Sequence, residues 1–159
     1  MTTKFGAVQV VAVGKLQSAF WQAAQLEYQQ RLRWYTDFQV AEVKDVVGRG
    51  QPDGVARQKE GELLLKAASG MNRLIALTAE GRELSSPELA VWMKKEMEGY
   101  GRIAFLIGGP LGFSPELLTA THTQLSLSRL TFPHELARIL LLEQLYRAFT
   151  ILNHEKYHK

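Results

Sequence analysis

The chain has 159 residues, of which 46% are apolar and 22% are charged, a composition typical of a globular protein and not of a disordered one. It contains no cysteine, which excludes disulfides, thiolate metal sites and a cysteine nucleophile. The formal net charge of +3 permits a polyanionic partner without requiring one. The length predicts one domain over residues 1–159. Because no apolar run approaches the roughly 20 residues of a membrane span, we expect a cytoplasmic protein with no membrane association.

Predicted strands and helices alternate along the chain. The β-branched run at 7–13 ends at Gly14 and predicts a buried strand. Apolar spacing predicts a helix from Ser18 to about Trp34, and partial alternation predicts a strand over 38–47. The remaining predicted elements are, in order, a loop at 48–54, a helix at 55–69, a strand at 73–77, a turn at 79–83, a helix at 85–98, a strand at 103–107, a turn opening a short helix at 108–116, a strand at 124–128, a helix at 133–152 and a polar tail. This order predicts an α/β fold with a mostly parallel sheet between helices.

The last predicted helix is apolar around more than one face. Its leucines, isoleucines and aromatic residues between 136 and 152 do not fall on a single stripe. A helix of this kind is buried on more than one side. We therefore expect it to pack on the sheet and also on a partner subunit.

Several common catalytic motifs are missing from the sequence. There is no G-x-G-x-x-G, no phosphate-loop motif and no G-x-S-x-G, so dinucleotide, phosphate-loop and serine-hydrolase chemistry have little support. Residues 154–158 do match the zinc-protease string H-E-x-x-H. That chemistry needs both histidines on one face of a held helix and a third ligand, whereas terminal segments usually fray. We expect no metal site.

Two loops after predicted strands carry the features that suit a ligand, because ligands bind at the carboxyl ends of strands in α/β sheets. Gly108, Gly109 and Gly112 follow a wholly apolar strand. They fit a backbone cradle for a cofactor, and equally a tight turn. Thr131 and His134 flank the start of the last helix, where anions or a neutral imidazole are favoured. Plain helix capping is the alternative there.

The tail at 153–159 combines a tyrosine with histidines and lysines. Aromatic and cationic side chains of this kind stack on RNA bases and neutralise RNA phosphates. A solvated basic end is the alternative interpretation.

Five separated segments, in this order, resemble one family. They are Val-Ala-Val-Gly-Lys at 11–15, the glycine turn at 107–112, the segment 125–134 ending in Leu-Thr-Phe-Pro-His, Glu-Gln-Leu-Tyr-Arg-Ala at 143–148 and Tyr-His-Lys at 157–159. Over its whole length the chain resembles the RlmH family of SPOUT-class methyltransferases. The resemblance implies an α/β knot with a C-terminal trefoil knot, S-adenosylmethionine (SAM) as cofactor and a homodimer. It also implies methyl transfer to N3 of a pseudouridine in 23S ribosomal RNA on assembled ribosomes, without a metal.

The resemblance also assigns site residues by matching positions. Cofactor binding, mostly through the backbone, is expected of Leu77, Gly108, Leu127, Ser128, Arg129, Leu130, Thr131 and Phe132. The catalytic candidates are His134, Arg138, Tyr157 and His158, the last two if the tail folds over the site of the other subunit. Leu111 stands where many members carry an acidic or polar residue, so a side-chain role there is in doubt. A nucleotide-binding α/β enzyme and a non-catalytic ribosome- or RNA-binding module remain as alternatives.

Overall fold

The computed structural model describes residues 4–159, in which five strands alternate with five helices. The elements are β1 (Phe5–Val13), α1 (Ala19–Leu32), β2 (Thr36–Val43), α2 (Asp53–Ala67), β3 (Arg73–Glu83), α3 (Ser86–Tyr100), β4 (Arg102–Ile107), α4 (Pro115–Ala120), β5 (Thr123–Ser126) and α5 (His134–Leu152). The strands pair in parallel in the order β2-β1-β4-β3-β5. The predicted α/β class with a parallel sheet is confirmed.

Helices cover both faces of the sheet. Successive residues of a strand point to opposite faces, and in β1 Val10 joins one apolar cluster while Val11 joins the other. The larger cluster includes buried residues of α1, α3 and α5, and the smaller one includes residues of α2 and α4. Since β1 and β4 are buried on both faces, their sequences are largely apolar and do not alternate. The buried exception in β1 is Gln9, whose side-chain amide donates to the carbonyl of Ala67 at 3.3 Å.

Local signals at helix ends agree with the sequence prediction. Ser85 accepts a hydrogen bond from the backbone N–H of Glu88 at 3.2 Å, and Glu88 accepts one from the N–H of Ser85. This reciprocal capping box starts α3 at the predicted helix start. Within residues 4–159, no helix is both long and apolar enough to cross a membrane.

Several element boundaries differ from the prediction, and two of these differences shape the region of the clefts. The second strand ends at Val43 and not at residue 47, because the N–H groups of Val46 and Val47 bond to the carboxylate of Glu60 and not to a neighbouring strand. The predicted turn at 79–83 was wrong, since β3 continues to Glu83.

The extension of β3 is irregular and shapes the neighbouring loop. Leu125 of β5 is paired with Leu77 and again with Arg82, so the four residues between them bulge out of the ladder. Gly81 lies so close to β5 that a Cβ atom there would be 2.6 Å from the carbonyl carbon of Leu125. Only a glycine fits where the two backbones lie this close together. The periodicity of the sequence does not predict this close contact.

Replacing this glycine tests the arrangement. Gly81→Ala should destabilise the fold by about 1–3 kcal/mol, because the added methyl group must push β5 away from β3. Gly54→Ala is the matched control: it adds the same methyl group to α2 with nothing within 4 Å, so stability should change by less than about 1 kcal/mol. Urea unfolding of both variants gives the comparison, and equal midpoints would contradict the packing described.

Candidate active site

The carboxyl ends of β3, β4 and β5 surround a cleft made of two adjoining cavities of about 430 and 180 Å³. The two cavities share Leu77, Thr78, Ala79, Phe132 and Ala137, and we call them together the apolar cleft. The larger cavity is within the range of roughly 300–1,000 Å³ that small-molecule sites occupy. Its place at the strand ends is where α/β sheets bind ligands.

The glycine turn forms one wall of the apolar cleft. Gly112 has a φ of 73°, and its N–H donates to the carbonyl of Gly109 at 3.0 Å. A Cβ atom at Gly108 would be 3.2 Å from Cε1 of Phe113. The turn is therefore tightly folded and also lines the cleft. Its role as a cofactor cradle stays a prediction.

The predicted cofactor residues come together, with one exception. Seven of them line the apolar cleft, namely Leu77, Gly108, Leu127, Ser128, Leu130, Thr131 and Phe132. Arg129 does not: its side chain is 88% exposed and lies 3.9 Å from the carboxylate of Glu83. The loop is held from within, because Ser126 donates to the carbonyl of Ser128 and the Ser128 hydroxyl accepts from the N–H of Leu130.

Other residues of the apolar cleft were not predicted. Thr78, Ala79 and Glu80 belong to the bulge of β3, and the Thr78 hydroxyl donates to Gln124 at 3.3 Å. Ala137 adds a wall from the first turns of α5. The sequence does place these residues directly after an apolar strand, at the edge of the sheet where ligands bind. A short polar segment in that position is equally typical of a plain turn, so the sequence alone does not indicate a bulge.

A second and larger cavity of about 630 Å³ adjoins the apolar cleft, and we call it the charged cleft. It lies between the turn after β1, the segment after β2 and the start of α5. His134 and Gly109 line both clefts, so His134 stands at their junction. The charged residues that line it are Lys15, Glu42, Lys44, Asp45, Arg49, Glu135 and Arg138.

Arg138 lines the charged cleft but is held by the protein itself. It is 3% exposed, pairs with Glu42 at 2.5 Å and donates to the Gly14 carbonyl at 3.0 Å and to Gln25 at 3.2 Å. These bonds tie α5 to the ends of β1 and β2 and to α1. A catalytic role for Arg138 stays a prediction, and its three internal partners make it a fixed part of the wall.

The tail is folded back on the second half of α5. The Tyr157 hydroxyl donates to Glu143 at 3.1 Å, and the ring packs edge-on against Tyr146 at 4.8 Å. The Arg147 guanidinium lies over the Tyr157 ring and contacts His158 at 3.2 Å. Both predicted tail residues are half-buried, so this part of the tail is packed and not merely solvated.

Tyr157 and His158 lie far from His134 within one chain. Arg147, which contacts both tail residues, is thirteen positions along α5 from His134, which is about 20 Å at 1.5 Å per residue. The four catalytic candidates therefore do not meet in a single copy of the chain.

Burial and the hydrogen bond to Glu143 raise the pKa of Tyr157 to about 12. Burial and a hydrogen bond to Glu155 also raise the pKa of Tyr35. This hydrogen bond connects the tail to the segment that follows α1. With such a pKa the Tyr157 hydroxyl stays protonated at neutral pH. In this arrangement it acts as a hydrogen-bond donor and not as a base.

The H-E-x-x-H string does not form a metal site in this fold. Helix α5 ends at Leu152, and His154 is exposed with a φ of 57°, so the two histidines do not share a helix face. Among residues 4–159, no group of three or more histidine or carboxylate side chains is placed to hold a metal ion.

Comparison with known proteins gives one consistent result. Residues 7–158 match a family described as predicted SPOUT methyltransferase. A protein of Clostridium botulinum (strain Loch Maree / Type A3) named ribosomal RNA large subunit methyltransferase H is 39% identical, over 96% of this chain and 99% of that protein. A Parabacteroides distasonis protein of the same name is 35% identical, over 95% of this chain and 98% of that protein.

A solved structure shares the fold at lower sequence similarity. It is described as that of a probable methylase family protein from Haemophilus influenzae Rd KW20, with a TM-score of 0.56 and 18% identity. The match covers 96% of this chain and 70% of that one. At this identity the likeness concerns the fold alone.

The raised pKa of Tyr157 predicts how stability depends on pH. The unfolded chain releases this proton near the ordinary tyrosine value of about 10, whereas the folded chain holds it until about 12. The stabilising contribution is thus complete below about pH 10 and is lost as the pH rises from there toward 12. Urea unfolding across this range should show a steeper loss of stability in the wild type than in Tyr157→Phe. Parallel curves for the two proteins would rule out the proposed environment of Tyr157.

Proposed function

This chain belongs to the SPOUT methyltransferase family, and from that membership we propose that it is a SAM-dependent methyltransferase of large-subunit ribosomal RNA. More specifically, we propose that the methyl group is transferred to N3 of a pseudouridine in 23S RNA on assembled ribosomes. The protein would then act in the cytoplasm, with residues 1–159 forming one domain. The observation that carries the proposal is the apolar cleft, which is lined by residues from three distant segments. They are Leu77, Gly108 and, from the loop after β5, Leu127, Ser128, Leu130, Thr131 and Phe132.

The residues of the apolar cleft suit the cofactor chemically. Leu77, Leu127 and Phe132 offer apolar contact for an adenine ring and for the aliphatic part of a methionine chain, while the turn at Gly108 offers backbone donors and acceptors. When bound, SAM supplies a methyl group already activated on a sulfonium. The chain's own task is then to hold the cofactor and the target base in line, and positioning of this kind lowers a barrier by several kcal/mol, up to about 7–11.

The target nitrogen must also lose a proton. N3 of a uracil-type base is a weak acid, so a nearby acceptor or cation assists the transfer. His134 is the candidate best placed for this, because it is half-buried at the junction of the two clefts and belongs to the first turn of α5. Arg138 stabilises the wall beside it through Glu42 and Gly14.

We further propose that the active form is a homodimer in which the tail of one copy reaches the site of the other. The separation of about 20 Å along α5 keeps Tyr157 and His158 from His134 within one chain. A second copy lying antiparallel along α5 would bring one chain's tail to its partner's His134. Exposed apolar side chains on α1, with Phe20 at 64% and Leu26 at 53%, supply surface that a partner would cover. The trefoil knot is proposed from family membership.

Calorimetry tests cofactor binding. The protein should bind SAM and should not prefer ATP or NAD, which would instead indicate the nucleotide-binding alternative. Ala137→Leu should weaken SAM binding by about tenfold or more, because Ala137 lines both cavities and overpacking costs ~1–3 kcal/mol. Val91→Leu, on an exposed position of α3, is the control and should bind SAM normally. No binding at saturating SAM would exclude the proposed function.

Methyl transfer to ribosomes tests the reaction itself. Ribosomes from cells lacking this protein should accept label from SAM, and mass mapping of their 23S RNA should place it on N3 of a pseudouridine. Salt-sensitive binding to ribosomes without any methyl transfer would favour the non-catalytic RNA-binding alternative. Label on another base or atom would retain the methyltransferase but overturn its proposed specificity.

Mixing two defective variants tests the shared site. A chain lacking residues 157–159 should bind SAM but lose methylation. At a SAM concentration well below the raised Kd of Ala137→Leu, that variant should hold little SAM while keeping its tail. In a twofold dimer of one variant with the other, one of the two sites combines an intact cleft with an intact tail. Random exchange makes about half of all dimers mixed, so about a quarter of the wild-type activity should return. If the mixture stays inactive although mixed dimers form, or if the truncated chain remains fully active, the tail does not act across the dimer.

A further inference from the structure

The charged cleft has defined walls and is not part of the proposed cofactor site. Its outer wall is the segment 44–49, which leaves the sheet after β2 and carries Lys44 and Arg49. Lys15, in the turn after β1, faces the same space. The start of α5 closes the cleft on the side shared with the apolar cleft through His134.

The charges of this cleft leave an excess of cations. Arg138 and Glu42 form an ion pair and cancel each other. The remaining cations are Lys15, Lys44 and Arg49, and the remaining anions are Asp45 and Glu135. The balance is small and favours one or two anionic groups at a defined place over a general attraction for polyanions.

Two further observations point to an anionic ligand here. Helix α5 begins at this cleft with Pro133 as N-cap and no side-chain cap, so its first N–H groups are not bonded by a capping side chain. Arg138, only 3% exposed, lines the cleft and has a buried Nε atom without a partner among the described residues. Although its charge is paired with Glu42, the unused Nε–H donor of Arg138 favours an acceptor group nearby.

Glu60 of α2 fixes the outer wall of the cleft. It is 2% exposed, and its Oε2 accepts from the N–H groups of Val46 at 2.9 Å and Val47 at 3.2 Å. Its Oε1 is buried without a partner in the described chain and lies 3.1 Å from where a Cβ atom on Gly109 would be. One carboxylate therefore bonds the cationic segment and lies close to the glycine turn of the apolar cleft.

We propose that the charged cleft binds a backbone phosphate of the RNA substrate, next to the nucleotide whose base reaches His134, and that Glu60 is the positioning residue for this site. The inference rests on the proposed function, because the RNA is its substrate. Ammonium and guanidinium groups from Lys15, Lys44 and Arg49 supply charge-assisted hydrogen bonds to phosphate oxygens. Glu60 keeps two of these cations on a fixed wall and sets that wall against the turn that holds the cofactor.

Charge removal in a matched pair of double variants tests the phosphate site. Lys44→Gln with Arg49→Gln should raise KM for ribosomes by about tenfold, with kcat and SAM affinity close to wild type. The dependence of log KM on log salt should become shallower by about one unit for each phosphate that the variant no longer binds. Lys94→Gln with Lys95→Gln removes the same charge from exposed positions of α3, outside the cleft, and should leave all three quantities unchanged.

Two substitutions of Glu60 test its positioning role. Glu60→Gln keeps a carbonyl oxygen for the N–H groups of Val46 and Val47 and should retain the wild-type KM and salt slope. Glu60→Leu removes both acceptors and should reproduce the raised KM and shallower slope of the Lys44 and Arg49 variant. A merely structural role would lower the amount of folded enzyme and leave KM and the salt slope unchanged.

The outcomes separate this inference from the proposed function. If wild-type protein fails to methylate ribosomes, the function is wrong and the phosphate site falls with it. If the wild type is active and the Lys44 and Arg49 variant behaves like the Lys94 and Lys95 variant, only the phosphate site is wrong. That variant changes exposed or half-buried side chains, so the test does not depend on whether Glu60→Leu folds.

Discussion

The pairing of Leu125 with both Leu77 and Arg82 is the constraint on which the site depends. A parallel ladder that skips four residues must push them out of the sheet, and these residues become a wall of the apolar cleft. The close approach of Gly81 to the backbone of β5 makes this possible. The same pairing holds β5 in place, so the loop at 127–132 leaves the sheet directly beside the glycine turn.

Helix α5 connects the separate parts of the molecule. Its first turn contributes His134 to the junction of the clefts, and Arg138 bonds it to residues more than a hundred positions away at Gly14. Its second half holds the tail through Glu143 and Arg147. The helix therefore carries predicted catalytic residues at both ends, and its length keeps them apart in one copy. In the proposed dimer, the tail of one copy would meet the start of α5 in its partner.

The modest net charge is consistent with the proposal that a few cations at one cleft bind the RNA. With +3 overall, the surface field is too weak to be the main source of affinity for RNA. The charged cleft concentrates Lys15, Lys44 and Arg49 at one place next to the apolar cleft. Glu60 bonds the wall of the charged cleft and lies beside the glycine turn of the apolar cleft, so one buried side chain borders both clefts.

The sequence by itself determined the α/β class, the order of elements, the glycine turn and seven of the eight predicted cofactor residues that line one cleft. The fold class, the order of elements and the glycine turn depend on local signals: apolar runs, caps and glycines near strand ends. The cofactor residues were assigned by the resemblance to a family, position by position. Only the tertiary structure decided the bulge of β3, the exposure of Arg129, the internal partners of Arg138 and the packing of the tail on α5. Each of these depends on how segments far apart in sequence lie against one another. Periodicity and propensity carry information over a few residues only, so they cannot specify which distant groups will meet.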